Sequence, residues 1–196
     1  MGGSWERLAH VELSSAGDTL SSGTFTAKDN LMVQINTLDS GNQNPKIQFN
    51  GDTGTNYAYR YSSNGGTDAT ALTGQTGIYH LADDNGDKVI FCNISNKLAR
   101  EKLIISSSAF SVTGAGNYPN WVENVGKWAN TSAQITSISC GNEFLGDFDS
   151  GSYITVWGAS EDGANDTTQN STIFEENDTG KHQIWNSTTS AWVEVG

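Results

Sequence analysis

Leu31-Met32-Val33-Gln34-Ile35-Asn36 alternates apolar and polar residues one at a time. A helix needs its apolar residues three and four apart. A strand needs them two apart, because successive side chains point to opposite faces. The stretch reads as a half-buried strand, and the pattern continues on both sides of it. Ile47 and Phe49 follow a turn-rich segment at Asp39–Pro45, and Tyr57, Tyr59 and Tyr61 alternate next. Ile135, Ile138 and Cys140 form a later segment, and Tyr153–Trp157 closes the set. Val89–Ile94 and Leu103–Ile105 are unbroken apolar runs of strand length. Gly and Asn punctuate nearly every gap, as at Gly51, Gly65-Gly66, Gly114 and Gly151, which is turn chemistry. Only Lys97–Lys102, with Ser95 as an upstream cap, has helix-forming residues. It spans under two turns and runs into Leu103, so it reads as a loop entering a strand. Short strands with Gly-rich turns predict an all-β fold, a sandwich or a barrel.

Composition agrees. The chain has 196 residues, which suits one domain plus a small appendage. Charged residues make up 16%, against about 25% in an average soluble domain. Leu, Ile, Val and Phe form about a fifth of the chain, at the edge of what a packed core requires. Six Trp, six Tyr and seven Phe restore the balance, because each aromatic ring buries a large area. The formal charge of −12 argues against a nucleic-acid partner, which demands a basic footprint. No apolar run reaches the roughly 18 residues of a membrane-spanning helix, and the N-terminus lacks the apolar core of a secretion signal. Cys92 and Cys140 are too few for a disulfide scaffold or a thiolate zinc site. Both lie in apolar strand-like runs and read as buried thiols, with a single bridge left open.

Composition breaks after Gly158. Residues 159–196 hold seven acids and one base, Lys181, so a fifth of the chain carries half the net charge. We divide the chain into a β-sandwich domain at 1–158, a polar linker at 159–171 and a three-stranded meander at 172–196. The meander rests on three apolar bursts, Ile173-Phe174, Ile184-Trp185 and Trp192-Val193, with turn residues between them. Trp185 and Trp192 are expected across from each other on one face, as oligomer or docking contacts. So few residues build little core alone, and the meander is expected to pack against a neighbour.

No constellation points to catalysis, to a metal or to a cofactor. His10, His80 and His182 are far apart and sit in no metal-binding spacing. No nucleophile elbow, phosphate loop or dinucleotide fingerprint occurs. Asp83-Asp84-Asn85-Gly86-Asp87 resembles part of a calcium loop, but its glycine is misplaced and no glutamate closes it. It reads as an acidic turn, as do Asp147 and Asp149. Six Asn-x-Ser/Thr sequons are explained by a chain rich in those residues. Trp128 and Trp157 lie in apolar strand surroundings and read as core. Tyr118 and Trp121 differ, because Gly116-Asn117-Tyr118-Pro119-Asn120-Trp121 is loop chemistry. Exposed loop rings can stack on a sugar face, so these two are the candidate receptor or glycan contacts.

Phe49-Asn50-Gly51-Asp52-Thr53-Gly54-Thr55-Asn56-Tyr57 resembles an "F-N-x-D-T-G-x-N-Y" motif of structural proteins from tailed viruses. Ala99–Ile105, Gly126–Ser132 and Gly151–Gly158 resemble later blocks of the same proteins, in the same order, so the likeness spans about residues 5 to 158. It implies a jelly-roll-like β-sandwich within a virion, often in tail fibres or surface appendages, and no enzymatic activity. The stretch from Phe174 through Asp178-Thr179-Gly180-Lys181 and Ile184-Trp185-Asn186 to Trp192-Val193 resembles a module near the ends of phage fibre and adhesin chains. Here Ser187 stands where that module usually has a turn glycine.

The resulting expectation is a non-enzymatic virion structural protein of a tailed virus, made in the host cytoplasm without a signal peptide. It would act as a homotrimer or larger array alongside other virion proteins, as a fibre or a capsid decoration. Neither a membrane nor a nucleic acid enters this picture, whereas a host surface glycan does. The alternative is a lectin-like carbohydrate-binding module. A glycan depolymerase is the weakest reading, because the chain shows no solenoid period.

Overall fold

The computed structural model describes residues 4–38, 43–68, 72–80, 86–111, 114–143, 146–160, 173–175, 182–186 and 191–195. Among them there are strands and no helix. In chain order they are β1 (Glu6–Glu12), β2 (Thr19–Thr24), β3 (Asn30–Thr37), β4 (Pro45–Phe49), β5 (Tyr57–Ser63), β6 (Leu72–Gln75), β7 (Ile78–Tyr79), β8 (Asp87–Ser95), β9 (Lys102–Ser111), β10 (Asn120–Trp128), β11 (Ser137–Asn142) and β12 (Tyr153–Ala159). Three more, β13 (Ile173–Glu175), β14 (His182–Asn186) and β15 (Ala191–Val195), form a separate small sheet in the order β13-β14-β15.

Trp5–Ala159 is one compact unit, an antiparallel β-sandwich of unequal sheets. The larger sheet runs β1-β12-β3-β8-β9-β10-β5-β6, and the smaller runs β2-β11-β4-β7. Alternation decides which side chains lie between them. On β3 these are Leu31, Val33, Ile35 and Thr37; on β8 they are Lys88, Ile90, Cys92 and Ile94. The smaller sheet contributes Leu20, Ile47, Phe49, Ile78, Ile138 and Cys140 to the same core. Phe49 of the smaller sheet meets Trp128 of the larger at 5.9 Å between ring centroids, with Tyr57 packed beside both. Trp157 departs from the core assignment. Ile154 and Val156 point inward, so the strand period turns Trp157 to the opposite face, where it is only half-buried.

Lys97–Arg100 is the turn of the β8–β9 hairpin rather than a helix, and Ala99 adopts φ 60° there. Two lysines fall on inward positions near strand ends. Their apolar stems lie in the core and their ammonium groups reach backbone oxygens at the rim. Lys102 donates to the carbonyls of Arg100 and Asn130, and Lys88 lies over the Phe110 ring near the Gly86 carbonyl. Cys92 and Cys140 are both buried and unbridged, one on each sheet. Burial pushes the Cys92 thiol up to about 12 and the Cys140 thiol higher still, so neither forms the reactive thiolate.

The motif at residues 49–57 is the crossover from β4 in the smaller sheet to β5 in the larger. Asn50 (φ 51°) and Gly51 (φ 67°) form a tight turn closed by a bond from Asp52 N to the Phe49 carbonyl. Both central residues need positive φ, which Asn and Gly supply at least cost. The Asp52 carboxylate accepts from Gly54 N, from the Asn56 amide and, at 2.7 Å, from the Trp128 indole Nε1. Partial burial raises its pKa, but those three donors outweigh the burial and hold the carboxyl below its ordinary value.

A later crossover, residues 129–136 between β10 and β11, has no sheet partner of its own. Two asparagine side chains take up its backbone groups. Asn96, fully buried, accepts from Ile135 N at 2.6 Å and donates to the Ile135 and Lys28 carbonyls. Asn50 accepts from Thr136 N and Ser137 N and donates to the Gln134 carbonyl. Replacing Asn96 by Ala strands a buried donor and two carbonyls. We expect a loss of about 3 kcal/mol in urea denaturation, with an unchanged slope. A loss below about 1 kcal/mol would show that the amide is not what holds this crossover.

Candidate interaction surface

The outward face of the larger sheet departs from the composition of the surface around it. Register places Met32, Asn93, Ile105, Val125 and Arg60 in one row across β3, β8, β9, β10 and β5. Gln34, Phe91, Ser107, Glu123 and Ser62 form the next row, and Leu103 and Lys127 flank the first on its other side. Ile105 is 64% exposed, Leu103 59%, Val125 57% and Phe91 45%. Leu103 forms a wall of two shallow depressions. One, of about 250 Å³, is lined also by Tyr59, Leu72 and Val125. The other, of about 310 Å³, is lined also by Trp5, Asn93 and Ile105. Leu72, Leu103, Ile105 and Val125 give these depressions an apolar lining that suits apolar side chains of another protein.

Phe91, Leu103 and Ile105 lie in the unbroken apolar runs, which show no alternation to mark an outward face. The missed signal was the strand period. Leu103, Ile104 and Ile105 are consecutive, so they cannot all face one core; Ile104 is buried and its neighbours are not.

Tyr118 and Trp121 lie at one end of the same sheet. Tyr118, in the loop before β10, is 80% exposed, and Trp121, the second residue of β10, is 39% exposed. Trp121 is held by its backbone: its N–H donates to Asn64 Oδ1, and its carbonyl accepts from Asn64 N. Asn64 (φ 51°) and Gly65 (φ 69°) form a second Asn-Gly turn beneath it. A side chain at Gly65 would begin 3.9 Å from the indole. Register through Ala109 and Val89 puts Trp121 on the same outward face as Phe91 and Val125. Trp185 and Trp192 belong to the small sheet, where they pair in register; their side chains lie outside the described residues.

The three histidines remain separate in role. His10 Nδ1 lies 2.8 Å from Thr155 Oγ1 on the edge strand, and the His182 side chain is outside the described residues. His80 is buried between the sheets, 3.0 Å from Ser106 Oγ and 3.2 Å from the Asn124 amide. All three residues of this cluster are closed to solvent. Asp147 sits beside Asp18 and Asp149. Its hydrogen bond and repulsion with Asp18 raise its pKa, yet no group of three or more His, Cys, Asp or Glu among the described residues is placed to hold a metal ion. Asp83–Asn85, in the acidic turn, lie outside the described residues.

No protein-family model, curated protein or solved structure matches this chain.

Burial pulls the His80 pKa from 6.5 down to about 3. The unfolded chain therefore takes up a proton below pH 6.5 while the folded chain refuses it until about pH 3. Stability should fall across that window by up to about 1.4 kcal/mol per pH unit. Denaturation midpoints at stepped pH should show this slope in the native protein and a shallower one in His80→Gln. Parallel curves for the two would place the acid sensitivity elsewhere.

Proposed function

We propose that this chain is a non-enzymatic structural protein of a tailed virus. It works as a homo-oligomer on the particle surface, in host attachment or capsid decoration. The observation that carries the reading is the outward sheet face. An acidic, polar sandwich exposes Phe91, Leu103, Ile105 and Val125 together. A free-standing monomer keeps such side chains scattered, whereas a subunit holds them for a neighbour. The sequence resemblance supports the viral part of the reading. Its leading motif is built here as a crossover staple, with the Asp52 carboxylate engaged by three donors. That is structural work rather than catalysis. A surface rich in Ser, Thr, Asn and acids keeps many copies soluble at high local concentration.

Particles purified by density from the producing culture test the proposal directly. Mass spectrometry should find the chain in fixed ratio to the major capsid protein. Its absence from washed particles would overturn the viral assignment.

A second reading, carbohydrate binding, is favoured by the exposed rings of Tyr118 and Trp121. Glycan-array binding by the native protein, lost in Trp121→Ala, would establish it. No signal from the assembled protein would remove it.

A further inference from the structure

We infer that the outward face of β3, β8, β9, β10 and β5 is the contact between two copies of this chain, packed face to face about a twofold axis. The inference deepens the proposed function and rests on its reading of the chain as an assembling subunit.

Three observations lead to a second copy. The first is size. Strands lie about 4.8 Å apart and same-face neighbours about 6.8 Å apart along a strand, so five strands four rows deep present about 650 Å². A stable pair requires roughly 800 Å² from each partner. The face is close to that without help from β12 or Trp5 at its border.

The second is charge. The chain carries 22 acids and 10 basic residues, so two copies repel over most of their surface. Over those five strands the outward positions include four charged residues, two of each sign: Asp87, Glu123, Lys127 and Arg60. Lys127 already binds Glu101 at 2.8 Å, and Arg60 lies 3.9 Å from Asp68. Like chains can approach here with little penalty.

The third is self-complementarity. A twofold contact must match its own copy. This face carries both signs close together, so a copy turned over sets Glu123 against Lys127 or Arg60 of its mate, twice by symmetry. Its centre is aliphatic, with Ile105 and Val125 paired in register and Leu103 beside them. Its border mixes polar residues with Val89, Ala109 and, at one corner, Trp121.

The experiment is sedimentation equilibrium of the full chain, run on native protein and on Ile105→Asp/Val125→Asp. Both positions face solvent, so folding should survive. Ile105→Thr/Val125→Thr, which keeps β-branching and adds no charge, serves if the aspartates disturb it. Native protein should sediment at twice the chain mass. Either variant should raise the dimer dissociation constant at least about a hundredfold, with the native circular dichroism spectrum and cooperative unfolding retained. Under mild oxidant, Ile105→Cys should crosslink into pairs, because the two native thiols are buried. An oligomer that both variants leave intact overturns the inference while leaving an assembling subunit in place. A native monomer at every concentration up to about 1 mM overturns the twofold contact, and the particle analysis then decides separately whether the viral reading stands.

Discussion

Two of the crossovers between the sheets, β4–β5 and β10–β11, must keep their backbone paired beside the core, and the fold depends on the amides that allow this. Ile135 is fully buried in a segment that belongs to neither sheet. Its N–H and carbonyl both go to the side chain of Asn96, from the β8–β9 hairpin. Asn50, from the β4–β5 crossover, takes the next two N–H groups. A buried polar group left without a partner costs as much as a good hydrogen bond contributes. The crossovers are also tied to each other, since Trp128 at the end of β10 donates to Asp52 in the β4–β5 turn. The two sheets are joined at one end by a polar clamp, and the apolar core packs beneath it.

That clamp accounts for the polar character of the sequence. With few aliphatic residues available, part of the interior is filled by polar groups. His80, Ser106 and the Asn124 amide nitrogen bond to one another between the sheets, with Asn124 Oδ1 left without a partner, and the inward lysines reach backbone oxygens at the rim. Aliphatic residues are nevertheless spent on the outside of the larger sheet, at Leu103, Ile105 and Val125. A chain short of core residues that still places three of them in solvent has an outer face worth explaining, and the proposed assembly with a second copy would explain it.

The fold class was legible because strand alternation is local. Leu31, Val33 and Ile35 announce their burial from their spacing alone, and Lys97–Arg100 is too short a run to compete as a helix. Gly51 and Gly65 were legible as breaks between strands, but not that Asn50 and Asn64 share the positive φ of each turn. The division into eight and four strands was not legible, because strand order depends on partners distant in sequence: β12 lies between β1 and β3. Nor were the roles of Asn50 and Asn96, whose partners lie 39 to 87 residues away. Trp157 was misplaced because an apolar neighbourhood does not say which way a strand residue points. The candidate surface was half visible. Loop chemistry located Tyr118 and Trp121, whereas the aliphatic face lay partly in unbroken apolar runs that show no alternation.

The first and last strands of the sandwich are neighbours, with Glu6 paired directly opposite Gly158. Cα atoms opposed across an antiparallel pair stand about 5 Å apart. The unit thus enters and leaves through one narrow doorway. Such a domain can be spliced into a loop of another protein as a cassette, because it demands almost no separation between the ends it interrupts. The same geometry gives it a mechanical character: tension applied through those two ends peels the hydrogen bonds of β1 and β12 one pair at a time rather than loading them together.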